Sequence, residues 1–96
     1  MGRFSVSKRP FDYLEEIAAR NKILRKQAGY SQSELARRSG VSLGSLKRFE
    51  NTGQISLDSL LKLADILNRL DDFESILMPI EDFKEIEKLF SDRTRG

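Results

Sequence analysis

The apolar positions of this chain fall into short blocks with helical spacing, several of them opened by a small polar residue and closed by glycine or proline. In the first block Leu14, Ile17, Ala18, Leu24 and Ala28 lie near one face of a helix. Asp12 is its expected N-cap, Glu15 follows three residues on as in a capping box, and Gly29 is the natural stop. Ser31-Gln-Ser-Glu34 repeats that spacing ahead of Leu35 and Ala36 and predicts a second helix ending near Ser39. Gly40 can take the positive φ that a tight turn demands, and Val41 follows as an apolar residue set to enter the core. Ser42 caps a third helix running to about Asn51, on which Leu46 and Phe49 are spaced i, i+3.

Thr52-Gly53 ends that helix, and Ser56 begins a fourth with the widest apolar stripe, Leu57, Leu60, Leu61, Ala64 and Leu67. Asp71 or Asp72 caps a short fifth helix bearing Phe73, Ile76 and Leu77, which Met78-Pro79 terminates. Beyond it Ile80, Phe83, Ile86, Leu89 and Phe90 recur at three- and four-residue spacing and predict an additional C-terminal helix. The expected fold is therefore all-α, five helices plus that sixth. Residues 1–11 form a basic N-terminal arm with Arg3, Lys8 and Arg9, residues 12–78 the helical domain, and residues 79–96 the C-terminal helix and tail.

Ninety-six residues, 39% hydrophobic and 33% charged, suit one folded domain rather than a disordered chain. No apolar run approaches the roughly 20 residues a membrane span needs, and the N-terminus lacks the apolar stretch of a secretion signal, which predicts the cytoplasm and no membrane partner. Cysteine and histidine are both absent, which removes thiol and imidazole chemistry and the usual zinc ligands, so neither a metal nor a cofactor is expected. The acids look like solvated helix faces, and a binding protein is expected rather than an enzyme. The net charge of +2 hides an asymmetry: residues 1–30 carry +4, residues 31–56 carry +2 and residues 57–96 carry −4. A basic half beside an acidic one suggests a surface for a polyanion and a separate surface for something else.

Two short helices joined by a glycine-containing turn let the second helix enter a DNA major groove roughly 12 Å wide. In the predicted third helix Leu46 and Phe49 point inward, leaving Leu43, Gly44, Ser45, Lys47 and Arg48 available outside. Gly44 costs a helix about 1 kcal/mol relative to alanine, so it marks either close backbone approach or an indifferent surface position. Arg48 suits bidentate contact with guanine O6 and N7, and Lys47 suits a phosphate or solvent. Leu43 fits either a thymine methyl or the edge of the core. One of Arg37 and Arg38, on the helix that crosses the DNA backbone, is a candidate phosphate contact.

The run from Asn21 to Ser42, with LRKQAGYSQSELARRSGVS at its heart, then Leu46, Phe49-Glu50-Asn51 and Leu60 to Leu67, resembles the Cro/lambda-repressor (XRE) family of helix-turn-helix repressors over residues 13–77. The resemblance implies that Gln32 binds a backbone phosphate and braces the reading helix. It implies that Ser42, Leu43, Gly44, Ser45 and Arg48 face bases or the adjoining sugar-phosphate, and that Arg25 and Glu50 form a partly buried ion pair. Asn21 departs from the pattern, which has an apolar residue there. More narrowly, Val41 to Leu61 with Leu70-Asp71-Asp72-Phe73 resembles the HipB-like antitoxins, implying an autoregulated toxin-antitoxin operon and a HipA-like kinase as partner.

Such a module contacts one half-site, and pairing places two reading helices about 34–36 Å apart on a palindromic operator. The expected homodimer surface is Phe73, Ile76, Leu77, Ile80, Phe83, Ile86, Leu89 and Phe90, more apolar area than a five-helix core requires. The alternative is that the helix over 81–90 folds back on its own domain. Repression would be steric. The rival role is an interaction protein that chiefly binds the kinase, through its acidic, apolar C-terminal part.

Overall fold

The computed structural model describes residues 7–80 and Leu89. Four α-helices follow one another, α1 (Pro10–Gln27), α2 (Gln32–Ser39), α3 (Leu43–Thr52) and α4 (Leu57–Ile66), and a 3-10 helix covers Leu70–Phe73. Among the described residues there is no strand, and no helix is long and apolar enough to cross a membrane.

Helix α1 starts three residues earlier than its pattern predicts. Arg9 occupies the cap position, Pro10 opens the helix, and the Asp12 carboxylate accepts from the Arg9 backbone N–H at 2.8 Å instead of capping a later start. Proline loses nothing at the first helical position, where its missing N–H has no partner in any case, and an acid in the first turn favours the positive end of the helix. Each of the three short helices is closed at its N-terminus by a serine: Ser31, Ser42 and Ser56 accept from the N–H of Glu34, Ser45 and Ser59 at 3.1, 3.1 and 3.0 Å. Each such cap satisfies one orphan donor and stabilises its helix by about 1 kcal/mol.

The core is small. Leu35, Leu46, Phe49 and Leu63 are fully enclosed, and Ala18, Ala36, Val41 and Ala64 complete it. Helix α3 packs on α1 and α2, and α2 also packs on α4, so the two-helix unit is held from both sides. Two stripes differ from their predicted registers. On α4 the buried line runs through Leu63 and Ala64 with Leu60 and Leu67 beside them, while Leu57, in the first turn and past the edge of the core, is exposed. On α1 the buried residues are Ala18, Asn21 and Arg25, spaced i, i+3, i+7, whereas Leu14 and Ile17 lie at the surface. Polar side chains thus occupy the inner line of α1, which apolar periodicity cannot reveal.

The fifth α-helix is replaced by the four-residue 3-10 helix, followed by turns and by a left-handed residue, Leu77 at φ 55. Pro79 leaves the segment too little chain, and its burial, with Phe73 half-buried and Ile76 and Leu77 exposed, is too slight to offset helix nucleation. Ile17, Leu24, Leu60, Leu67, Phe73 and Ile76 line an open, mainly apolar trough between α1, α4 and this turn. The expected C-terminal helix over 81–90, and Arg3 of the N-terminal arm, lie outside the described residues.

Candidate nucleic-acid interface

The turn between α2 and α3 is built by Gly40, at φ 79, and by Val41, whose side chain is buried. Ser42 follows as the cap of α3, and its hydroxyl donates in turn to the Ser45 hydroxyl at 2.9 Å. From this cap α3 presents two unlike faces. Leu46 and Phe49 enter the core, and Leu43 is half-buried against it. Ser42, Gly44, Ser45, Lys47 and Arg48 are all exposed. A Cβ on Gly44 would meet nothing within 4 Å, so the chain's own packing does not require glycine there.

Beneath this edge lies a buried polar network. Arg25 Nε donates to Glu50 Oε2 at 2.7 Å and Arg25 Nη2 to Glu50 Oε1 at 3.0 Å, while Arg25 Nη1 donates to the Tyr30 carbonyl at 2.9 Å. Gln32 Nε2 also donates to Glu50 Oε1, at 3.0 Å, tying the first turn of α2 to α3. The two charged side chains are only 8% and 2% exposed. Burial pushes the Glu50 carboxyl up, but hydrogen bonds from Arg25 and Gln32, with the charges of Arg25 and Lys22, outweigh it and hold the group below its ordinary value. A bidentate guanidinium-carboxylate pair is strongly directional, and this one clamps the end of α3 to α1.

Arg37 and Arg38, at the far end of α2, are engaged elsewhere. Both donate to Glu34 Oε2, at 2.6 and 2.5 Å, and the Arg38 guanidinium stacks 4.8 Å over the Tyr30 ring. These hydrogen bonds hold the Glu34 carboxyl below its ordinary value. Glu34 therefore faces its two arginines instead of completing the capping box with Ser31. The pair brings a net charge nearer +1 than +2 to any phosphate, and among the described residues no hydrogen bond joins it to α3.

Three polar residues extend the exposed polar edge of α3 beyond what sequence spacing indicated. Gln54, Ser56 and Ser59 line a shallow depression together with Ser45, Arg48 and Ile55, where α3 meets the start of α4. Ser56 was legible as a helix cap; its closeness to Arg48 depends on how the turn at 52–55 folds. Of the expected dimer surface, Phe73 is half-buried in the apolar trough and Ile76 lines its rim. Leu77 and Ile80 stand 95% and 90% exposed, as does Leu89 in part, and Phe83, Ile86 and Phe90 lie outside the described residues. Among the described residues no group of three acids is placed to hold a metal ion.

Two short capped helices at a glycine turn, the second braced from below and polar outside, define a helix-turn-helix module. A helix-turn-helix family model matches residues 22–73, more than half of the chain, and the chain belongs to that family, of the XRE type its motif resembles. It is 40% identical over 68 residues to a proposed HTH-type transcriptional regulatory protein of Pyrococcus furiosus, a match covering 69% of this chain but only 20% of that relative's length. No solved structure matches it.

Proposed function

We propose that the chain is a sequence-specific DNA-binding transcriptional repressor that grips a palindromic operator as a homodimer. The observation that carries the proposal is the outer edge of α3, Ser42 to Arg48, exposed along its polar face and fixed from behind by Arg25, Glu50 and Gln32. In this reading Arg48 and Ser45 meet base edges and Lys47 a phosphate, with Ser42, Leu43 and Gly44 against the adjoining sugar-phosphate. Gln32 has two roles: its amide braces Glu50, and its place in the first turn of α2 suits a phosphate at the positive end of that helix. Arg37 and Arg38 add a weaker phosphate contact. The similarity to a regulatory protein supports the same reading.

Selection from a random duplex library with the full chain tests it. The expected product is an inverted repeat with half-sites one helical turn apart, bound with an affinity that falls steeply with salt. Arg48→Ala should relax the preference at one base pair per half-site and leave the salt slope nearly unchanged. Equal, weak binding to every duplex would sink the proposal. The narrower resemblance of Val41 to Leu61 supports autoregulation of a toxin-antitoxin operon as the setting. A kinase gene beside this one, and recovery of that kinase on co-purification, is the check.

A further inference from the structure

The Arg48 guanidinium is not loose on the surface. Its Nη2 donates to Gln54 Oε1 at 2.8 Å, six residues along the chain and past the end of α3. The backbone of the same residue is tied into the same turn: Thr52 Oγ1 donates to the Arg48 carbonyl at 2.7 Å and accepts from the Gln54 backbone N–H at 3.1 Å. The three contacts close a ring from the Arg48 side chain through Gln54 and Thr52 back to the Arg48 backbone. The ring in turn stands on Gly53, whose left-handed backbone at φ 81 lies so close to α1 that an added Cβ would sit 2.8 Å from the Leu14 backbone.

We propose that Gln54, held by Thr52, is a positioning residue that pre-sets Arg48 for reading a base and so helps to determine sequence specificity. The inference rests on the reading of α3 as a DNA-reading helix. A guanidinium has five N–H donors and no acceptor. Gln54 must therefore offer its amide oxygen, which occupies one donor and leaves Arg48 enough for a bidentate contact with guanine. Holding a long side chain in its reading geometry before DNA arrives removes an ordering cost that otherwise subtracts from discrimination. Glutamine and arginine then read as one unit.

Two measurements test this on the full chain. In the free protein, nitrogen relaxation of the Arg48 Nε–H should show an ordered side chain in the wild type, a mobile one in Gln54→Ala and in Thr52→Val, and restored order in Gln54→Glu, which keeps the acceptor. On DNA, Gln54→Ala should reduce discrimination at the base pair read by Arg48 by about three- to ten-fold, the equivalent of one lost hydrogen bond. Non-specific affinity and salt slope should not change, and adding Gln54→Ala to Arg48→Ala should cost nothing further. Additive effects of the two substitutions, or a uniform loss across all duplexes with a shallower salt slope, would make Gln54 an independent phosphate ligand and overturn the proposal. An Arg48 side chain already mobile in the free wild type overturns the clasp alone. A wild-type chain without base preference overturns the DNA-reading assignment beneath it.

Discussion

At position 21 the chain buries an amide, only 6% exposed, on the inner line of α1, and its Nδ2 has no hydrogen-bond partner among the described residues. A buried donor without a partner costs about 1–3 kcal/mol, and the apolar trough lined by Ile17, Leu24, Leu60 and Ala64 adjoins it, where the near-isosteric leucine meets apolar neighbours. Asn21→Leu is expected to stabilise the domain by that amount, which in a chain of this size raises Tm by about 4–8 °C per kcal/mol. A thermal melt with unchanged or lower Tm contradicts the account. Glu50 is the opposite case, a buried acid with every reason to stay charged. Its folded carboxyl titrates below the ordinary value of 4.5, so its stabilising contribution is complete above that pH and is lost as pH falls through the depressed folded value. Removing one partner of such a pair costs about 3–5 kcal/mol. Glu50→Gln should therefore melt earlier at pH 7 and show a flatter acid limb in stability against pH; an acid limb as steep as the wild type's points to other carboxylates. Both residues stood out in the sequence, Glu50 through its motif and Asn21 through its departure from one. Gln54 did not, because its link to Arg48 spans a turn whose path no periodicity encodes.

The helices themselves were legible where start and stop signals were chemical. Ser31, Ser42 and Ser56 cap as their spacing predicts, and Gly40 and Gly53 close α2 and α3 in the left-handed region. The sequence was less informative where geometry rather than chemistry decides. Leucines at 57, 60, 61, 63 and 67 allow more than one face of α4 to be apolar, and only packing against α2 selects the line through Leu63. The fifth helix failed for lack of burial, a property of its neighbours. Gly53 shows the same division. Its role as a helix stop is evident from position, but its closeness to Leu14 is a tertiary fact. Gly40 has a similar φ with nothing within 4 Å of a built Cβ, so the two glycines form a matched pair. Gly40→Ala should cost only the left-handed strain, about 1–2 kcal/mol. Gly53→Ala carries the same strain and a clash with helix backbone that cannot move aside, and should cost clearly more by denaturant titration. Equal losses at the two sites would mean that α1 and the 52–55 turn are not packed as described.

On the scale of the whole molecule, a single domain presents one exposed polar edge on α3, and the proposed operator has two half-sites. Leu77 is the residue that best argues for a partner. It holds a bulky side chain at φ 55, a backbone region costly for leucine, and leaves that side chain 95% exposed, with Ile80 at 90% close by in sequence. Strain that gains no burial among the described residues is accounted for if a second copy covers it, and with Phe73 and Ile76 on the adjoining trough we propose this strip as the contact of the homodimer. Aspartate tolerates the left-handed region better than leucine, so Leu77→Asp combined with Ile80→Asp should leave each domain folded by circular dichroism while placing charge in the contact. Sedimentation is expected to shift from dimer to monomer. Affinity for a two-half-site operator should fall on the order of 10²-fold, with affinity for an isolated half-site nearly unchanged, because only the linkage between the two reading helices is lost. A double variant that still sediments as a dimer would move the contact elsewhere on the chain, and a monomeric wild type at operator-saturating concentrations would remove the need for one.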